Sequence, residues 1–155
     1  MSSFNNIIKS LLIKNISISV AESCTGGQII KELTDTPGIS KIFEMGLVTY
    51  SNKSKNIILN IPLSIIKKNG SVSKEVAFLM TKNLSKISKS KLLISTTGVA
   101  GPSGGSLKKP VGLVYISITF DKKNYIFRHI FTGNRSQIQR KTVKFCFQEI
   151  GRLIQ

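Results

Sequence analysis

Acidic residues are scarce in this 155-residue chain, with seven Asp and Glu against 23 Lys and Arg, a formal net charge of +16. Tryptophan is absent, histidine occurs once, at position 129, and there are two cysteines, Cys24 and Cys146. Each shortage excludes something. The two cysteines lie far apart in no Cys-x-x-Cys or Cys/His spacing, so neither a disulfide framework nor a zinc site has support. A single histidine, on a predicted strand, gives poor support to a Ser-His-Asp triad. No apolar run reaches the roughly 18 residues of a membrane span, and the N-terminal "IIKSLLIK" is broken by charge and lacks a small-residue cleavage site. The chain is therefore expected to be soluble, unprocessed and cytoplasmic, with no membrane partner.

The basic excess invites a nucleic-acid reading. Yet lysines make up most of it, spread from Lys9 to Lys144 in runs no longer than two, and only four residues are arginine. Nucleic-acid readout leans on clustered arginine and on aromatic stacking. Beside the many isoleucines and asparagines, the lysines read as a compositional habit of the surface, and a nucleic-acid partner is not expected. At 41% apolar, the chain has the size and composition of one domain with its own core.

Helix and strand patterns alternate. Ile7, Ile8, Leu11 and Leu12 predict a helix over about 4–14, capped by Ser2 or Ser3. A strand follows over 16–20, then a helix marked by Ile29, Ile30 and Leu33. "GLVTYS", 46–51, alternates like a second strand. "NKSKNIILN" reads as a short helix ended by Pro62, and "LSIIKKNG" as another closed by Gly70. Ser73 caps the clearest helix, with Val76, Leu79, Met80, Leu84 and Ile87 on its core face. "KLLIST", 91–96, is a buried strand; "LVYISITF" and "NYIFRHIF" form a hairpin around Asp121-Lys122-Lys123. A last helix, about 136–153, places Ile138, Val143, Phe145, Cys146 and Ile150 among polar neighbours. This order predicts a single three-layer α/β/α domain with a mixed sheet of about five strands.

Three stretches have the residue types for chemistry. In "SVAESCTGGQII", 19–30, a strand turns sharply into a helix and sets Ser23, Cys24 and Thr25 in a row before Gly26 and Gly27. Helix amides there suit an oxyanion, though a capping serine with turn glycines explains the same pattern. In "VTYSNKSK", 48–55, Tyr50 and Lys55 stand out: a lysine whose pKa is pulled down can serve a serine as base. In "TTGVAGPSGGSLKKPVG", 96–112, five glycines with interleaved hydroxyls form a loop whose amides can converge on an anion, with Lys108 and Lys109 adding charge. It is not a P-loop.

Taken together, "AESCTGG" (21–27), "GLVTYSNKSK" (46–55), "GSVSKEV" (70–76) and "TGVAGPSGGSLKKPVG" (97–112) resemble, in order and spacing, the CinA C-terminal domain family of nicotinamide-nucleotide amidases. The resemblance covers nearly the whole chain. It implies hydrolysis of the carboxamide of nicotinamide mononucleotide to nicotinic acid mononucleotide and ammonia, with no metal or organic cofactor. It places the nucleophile on Ser23, the base on Lys55 and an intervening tyrosine on Tyr50. The lysine would take the Ser23 proton directly or through Tyr50, with amides near 25–27 holding the oxyanion.

Substrate contacts are expected from Cys24, Thr25, Gly26 and Gly27, from Thr97, Gly98, Ala100, Gly101, Gly104, Gly105 and Lys109 of the loop, and from Arg135 and Arg140. A homo-oligomer is implied as well, and so is the stand-alone form, since the family also occurs fused to a larger N-terminal domain. One position departs: Asn134 stands where the family usually has Asp before Arg135. It leaves the nucleophile and base untouched and bears on substrate affinity. The competing readings are a nucleotide-binding module without turnover, a DNA-associated competence or damage-inducible protein, and an amidase for another small carboxamide.

Overall fold

The computed structural model describes residues 4–155. Five strands form one mixed sheet in the order β2-β1-β3-β4-β5. β1 (Ile18–Glu22) lies between β2 (Phe43–Val48) and β3 (Leu92–Gly98) and is parallel to both. β4 (Leu113–Phe120) and β5 (Lys123–Ile130) extend the sheet antiparallel. Every residue of β1 is buried, as a strand covered on both faces requires.

Two helical layers supply that cover. α1 (Asn5–Ile13), α2 (Gln28–Thr34) and α6 (Arg135–Leu153) pack on one face, where Ile8, Leu33 and Phe147 meet Val20, Ile94 and Ile116. α3 (Asn52–Leu59), α4 (Leu63–Asn69) and α5 (Lys74–Ile87) cover the other, where Leu59, Ile66, Val76, Met80 and Leu84 meet Ala21 and Leu93. Successive strand residues thus feed opposite cores, as period-2 alternation demands. The architecture is three-layered α/β/α with a five-stranded mixed sheet.

The expected elements appear with shifted ends. Ser73 caps α5 by accepting from the Val76 amide at 3.2 Å, and Asp121 and Lys122, both at positive φ, make the two-residue turn between β4 and β5. Phe4 occupies the cap position of α1; Ser2 and Ser3 lie outside the described residues. β1 runs two residues later than 16–20, because the sheet continues through Ala21 and Glu22. The strand expected over 46–51 spans Phe43–Val48 instead. Beyond it, Ser51 turns the chain by accepting from the Ser54 amide at 3.0 Å, so capping chemistry wins over alternation there. α3 ends at Asn60 in the left-handed region, before Pro62. Ile87, expected on the core face of α5, is exposed at the last turn.

From β1 the chain leaves through α2 on one face to β2, and from β2 through α3, α4 and α5 on the other face to β3. Connections that depart to opposite sides open a crevice beyond the carboxyl ends of the strands, where α/β sheets bind ligands.

Candidate active site

Three elements meet at that crevice. Ser23 follows β1, Thr49 and Tyr50 follow β2, and Lys55 sits in the first turns of α3, which the Ser51 cap aims back at the sheet. The Lys55 Nζ lies 2.9 Å from Ser23 Oγ, 2.7 Å from the Thr49 carbonyl and 3.4 Å from the Tyr50 carbonyl. Lys55 is 1% exposed and Ser23 7%. Burial pulls the lysine from its ordinary 10.5 down to about 8. A sizeable neutral fraction then exists near neutral pH. A neutral lysine amine has two hydrogens and one lone pair. The two carbonyls take the hydrogens, which leaves the lone pair for the Ser23 hydroxyl.

In the row Ser23-Cys24-Thr25 the three side chains have different surroundings. The Cys24 thiol is pushed up to about 12, first by burial and then by the Glu22 charge, so it stays protonated. Thr25 Oγ1 is buried 2.8 Å from Thr96 Oγ1, tying the turn after β1 to β3. Of the three, only Ser23 has a hydrogen bond with a lysine.

The cleft above the pair has a volume of about 300 Å3. Cys24, Tyr50, Thr97, Gly98, Ala100, Gly101, Gly104 and Arg135 line it with Ser23 and Lys55, and so do Ser71, Val72 and Ser103, which the sequence did not single out. Gly98 must lack a side chain: a Cβ would stand 2.8 Å from the Leu113 carbonyl and 3.1 Å from Cys24 Sγ. Arg135 donates to the Gly101 carbonyl at 2.7 Å and to the Tyr50 hydroxyl at 2.6 Å. It makes no ion pair among the described residues, so its charge remains available to an anion. Asn134 is the cap of α6, accepting from the Gln137 amide at 3.0 Å, and needs no charge for that role.

Other expected site residues stand elsewhere. Thr25, Gly26, Gly27, Gly105, Lys109 and Arg140 do not line this cleft. Lys109 donates to the Asn69 carbonyl at 2.6 Å and so straps the glycine loop to the end of α4. Two of the amides expected to hold an oxyanion are already engaged: that of Gly26 donates to the Ser23 carbonyl at 3.0 Å and that of Gly27 to Glu22 at 3.0 Å. Nor is Ser23 a helix cap, since Gly27 holds that position. The Tyr50 hydroxyl accepts from Arg135, and because Ser23 and Lys55 are in direct contact no relay through it is required. A larger cavity, about 630 Å3, lies at the far end of α5 among Phe78, Lys82, Ser88 and Asn124. Its Ser88 and Ser90 donate to Glu44 at 3.0 and 2.8 Å, and neither has a contact with a lysine like that of Ser23.

Glu22 is the site residue the sequence reading missed. Fully buried, its carboxyl group accepts from the Gly27 amide at 3.0 Å and the Ile30 amide at 2.8 Å. It thereby satisfies helix-start donors that water cannot reach and fixes the turn bearing Ser23. An acid closing a strand just before a double glycine and a helix was the available signal. Glu22→Ala is expected to destabilise the protein by roughly 2–4 kcal/mol, because both amides would be stranded; urea unfolding measures this.

Fold and site together define a three-layer α/β protein with a buried serine-lysine pair at the carboxyl ends of its parallel strands. The family model for the CinA C-terminal domain matches residues 2–154, and the chain belongs to that family. A competence-damage inducible protein of Caldanaerobacter subterraneus subsp. tengcongensis is 42% identical over 149 residues, 96% of this chain and 36% of its own length. One from Clostridium botulinum strain Okra is 45% identical over 143 residues, 92% of this chain and 35% of its own. The chain thus spans about a third of the length of these relatives. Among solved structures, the competence/damage inducible protein CihA of Agrobacterium tumefaciens superposes with a TM-score of 0.93 at 31% identity, over 98% of this chain and 93% of that one. A CinA superfamily protein of Klebsiella pneumoniae, at 24% identity, shares the fold with a TM-score of 0.92 over 97% of this chain and 94% of the other. No helix among the described residues is long and apolar enough to cross a membrane.

Proposed function

We propose that the chain is a nicotinamide-nucleotide amidase that hydrolyses the carboxamide of nicotinamide mononucleotide through a serine-lysine pair, without a metal ion. One observation carries this reading: a buried lysine, lowered to about 8, set 2.9 Å from a serine hydroxyl that lines a cleft with it. The resemblance of the four motifs supplies the substrate.

Ser23 Oγ attacks the carboxamide carbon as its proton passes to the Lys55 amine. The tetrahedral intermediate then breaks its carbon-nitrogen bond, the lysine ammonium protonates the departing nitrogen, and ammonia leaves an ester on Ser23. Water regenerates the serine and releases nicotinic acid mononucleotide. Arg135, with no acid partner, is the cation for the substrate phosphate, while Ser71, Ser103 and the loop backbone face the ribose.

The test is release of ammonia and nicotinic acid mononucleotide from nicotinamide mononucleotide by purified protein in the presence of EDTA. Turnover is expected to persist. Activity that disappears with EDTA and returns with added metal would overturn the serine-lysine mechanism, and absence of turnover would overturn the assignment.

A further inference from the structure

Resting on this serine-lysine reading, we propose that the Thr49 hydroxyl positions the water that hydrolyses the acyl-enzyme. Thr49 is 1% exposed, and its Oγ1 is the one buried side-chain polar atom among the described residues with no hydrogen-bond partner in the protein. Buried hydroxyls are nearly always paired, because an unpaired one disfavours folding. Here the unpaired hydroxyl belongs to the residue whose carbonyl holds Lys55 Nζ at 2.7 Å. Thr49 directly follows β2, and its amide donates to the Glu22 carbonyl at 2.8 Å, one step past the last β1-β2 pair, Glu22 with Val48. Continuing that register sets Thr49 next to Ser23 on the same side of the sheet. Lys55 Nζ lies 2.9 Å from Ser23 Oγ and 2.7 Å from the Thr49 carbonyl, so both residues hold the lysine.

Counting donors and acceptors through the cycle shows what the hydroxyl is for. In the resting protein the Lys55 amine is satisfied by the Thr49 and Tyr50 carbonyls and by the Ser23 hydroxyl. Acylation turns Ser23 into an ester with no proton to give. The Lys55 lone pair then lacks a partner, and the hydroxyl of the residue that holds the lysine by its carbonyl lacks one as well. A single water satisfies both by accepting from the Thr49 hydroxyl and donating to the lysine lone pair, the polarity that general-base catalysis needs. As its oxygen bonds to the acyl carbon, its proton passes to Lys55. When the bond from that carbon to Ser23 Oγ breaks, Lys55 returns a proton to the serine and the free acid leaves. Thr49 is therefore a positioning residue for deacylation, and its role is separate from that of its carbonyl, which any residue would supply.

Three proteins test this: wild type, Thr49→Val, which keeps shape and backbone, and Thr49→Ser, which restores the hydroxyl. Each is mixed with nicotinamide mononucleotide, quenched in steady state, and read for kcat and, by intact mass, for the fraction carrying the nicotinoyl ester nucleotide. Thr49→Val is expected to lose kcat by about tenfold or more while its ester fraction rises. Its Tm should be unchanged or raised by about 2–4 °C, because an unpaired polar atom has been removed. Thr49→Ser should recover most of the rate. A Val variant with wild-type kcat, or one slowed with no accumulated ester, would overturn the proposal while leaving the amidase intact. A wild type without turnover would instead overturn the amidase reading itself.

Discussion

Ser23→Ala is expected to lower amide hydrolysis by about 10⁴-fold or more while leaving the protein folded and nicotinamide mononucleotide bound with nearly unchanged affinity. The reasoning lies in the geometry. Ser23 Oγ has its polar contact with Lys55, whereas the unpaired charge that an anionic nucleotide needs belongs to Arg135, which also lines the cleft but contacts Gly101 and Tyr50 instead. Removing the hydroxyl therefore removes chemistry and spares binding. The neighbouring nucleophiles sharpen the test. Cys24→Ala should keep activity within about threefold, because a thiol held near 12 is not a nucleophile at neutral pH. Thr25→Val should act on stability instead, through the lost 2.8 Å contact with Thr96. Turnover measured beside calorimetric binding decides the matter: activity surviving in Ser23→Ala, or lost in Cys24→Ala, would move the nucleophile.

The layers and most elements were legible because helical and strand periodicity survive in the sequence: Val76, Met80 and Leu84 all fall on the buried face assigned to them. The strand ends were not legible. Ala21 and Glu22 look like a break in an apolar run, and only the amides of Gly27 and Ile30, folded back from α2, explain a buried acid there. The stretch 49–51 continues the alternation of β2, yet the Ser51-Ser54 cap ends it. The site divides along the same line. Motif order was enough to propose Ser23 with Lys55, thirty-two residues apart, and the fold brings them to 2.9 Å. Which glycines face the cleft was beyond local reading, because it depends on where α2 and α4 sit. Gly98 and Gly101 line it, whereas Gly26 and Gly27 shape the turn behind it. Lys109 shows the same limit: its charge suggested a phosphate ligand, and tertiary packing spends it on the Asn69 carbonyl.

Lys55→Met should separate catalysis from stability in opposite directions. Loss of the base is expected to lower kcat/KM by about 10³-fold or more. With Lys55 as the proposed base, its neutral amine is the active form, so kcat/KM should rise with pH to a plateau above about 8 and fall about tenfold per unit below it. Stability follows the same titration. Below about 8 the lysine is charged in both states, and the folded protein bears the cost of burying it; above 10.5 it is neutral in both. Between those limits the unfolded chain binds more protons, so the Lys55 contribution to stability increases with pH. A displacement from 10.5 to about 8 corresponds to roughly 3 kcal/mol. The Met variant lacks this contribution, and its stability advantage over wild type should shrink by that amount between pH 7 and pH 10.5. The stranded Thr49 carbonyl lowers that advantage at every pH but leaves its pH dependence intact. Urea unfolding of both proteins across this range, beside the pH-rate profile, tests the pair of statements. Parallel stability curves would mean that Lys55 is not depressed, and a rate independent of pH down to 6 would remove it as the base.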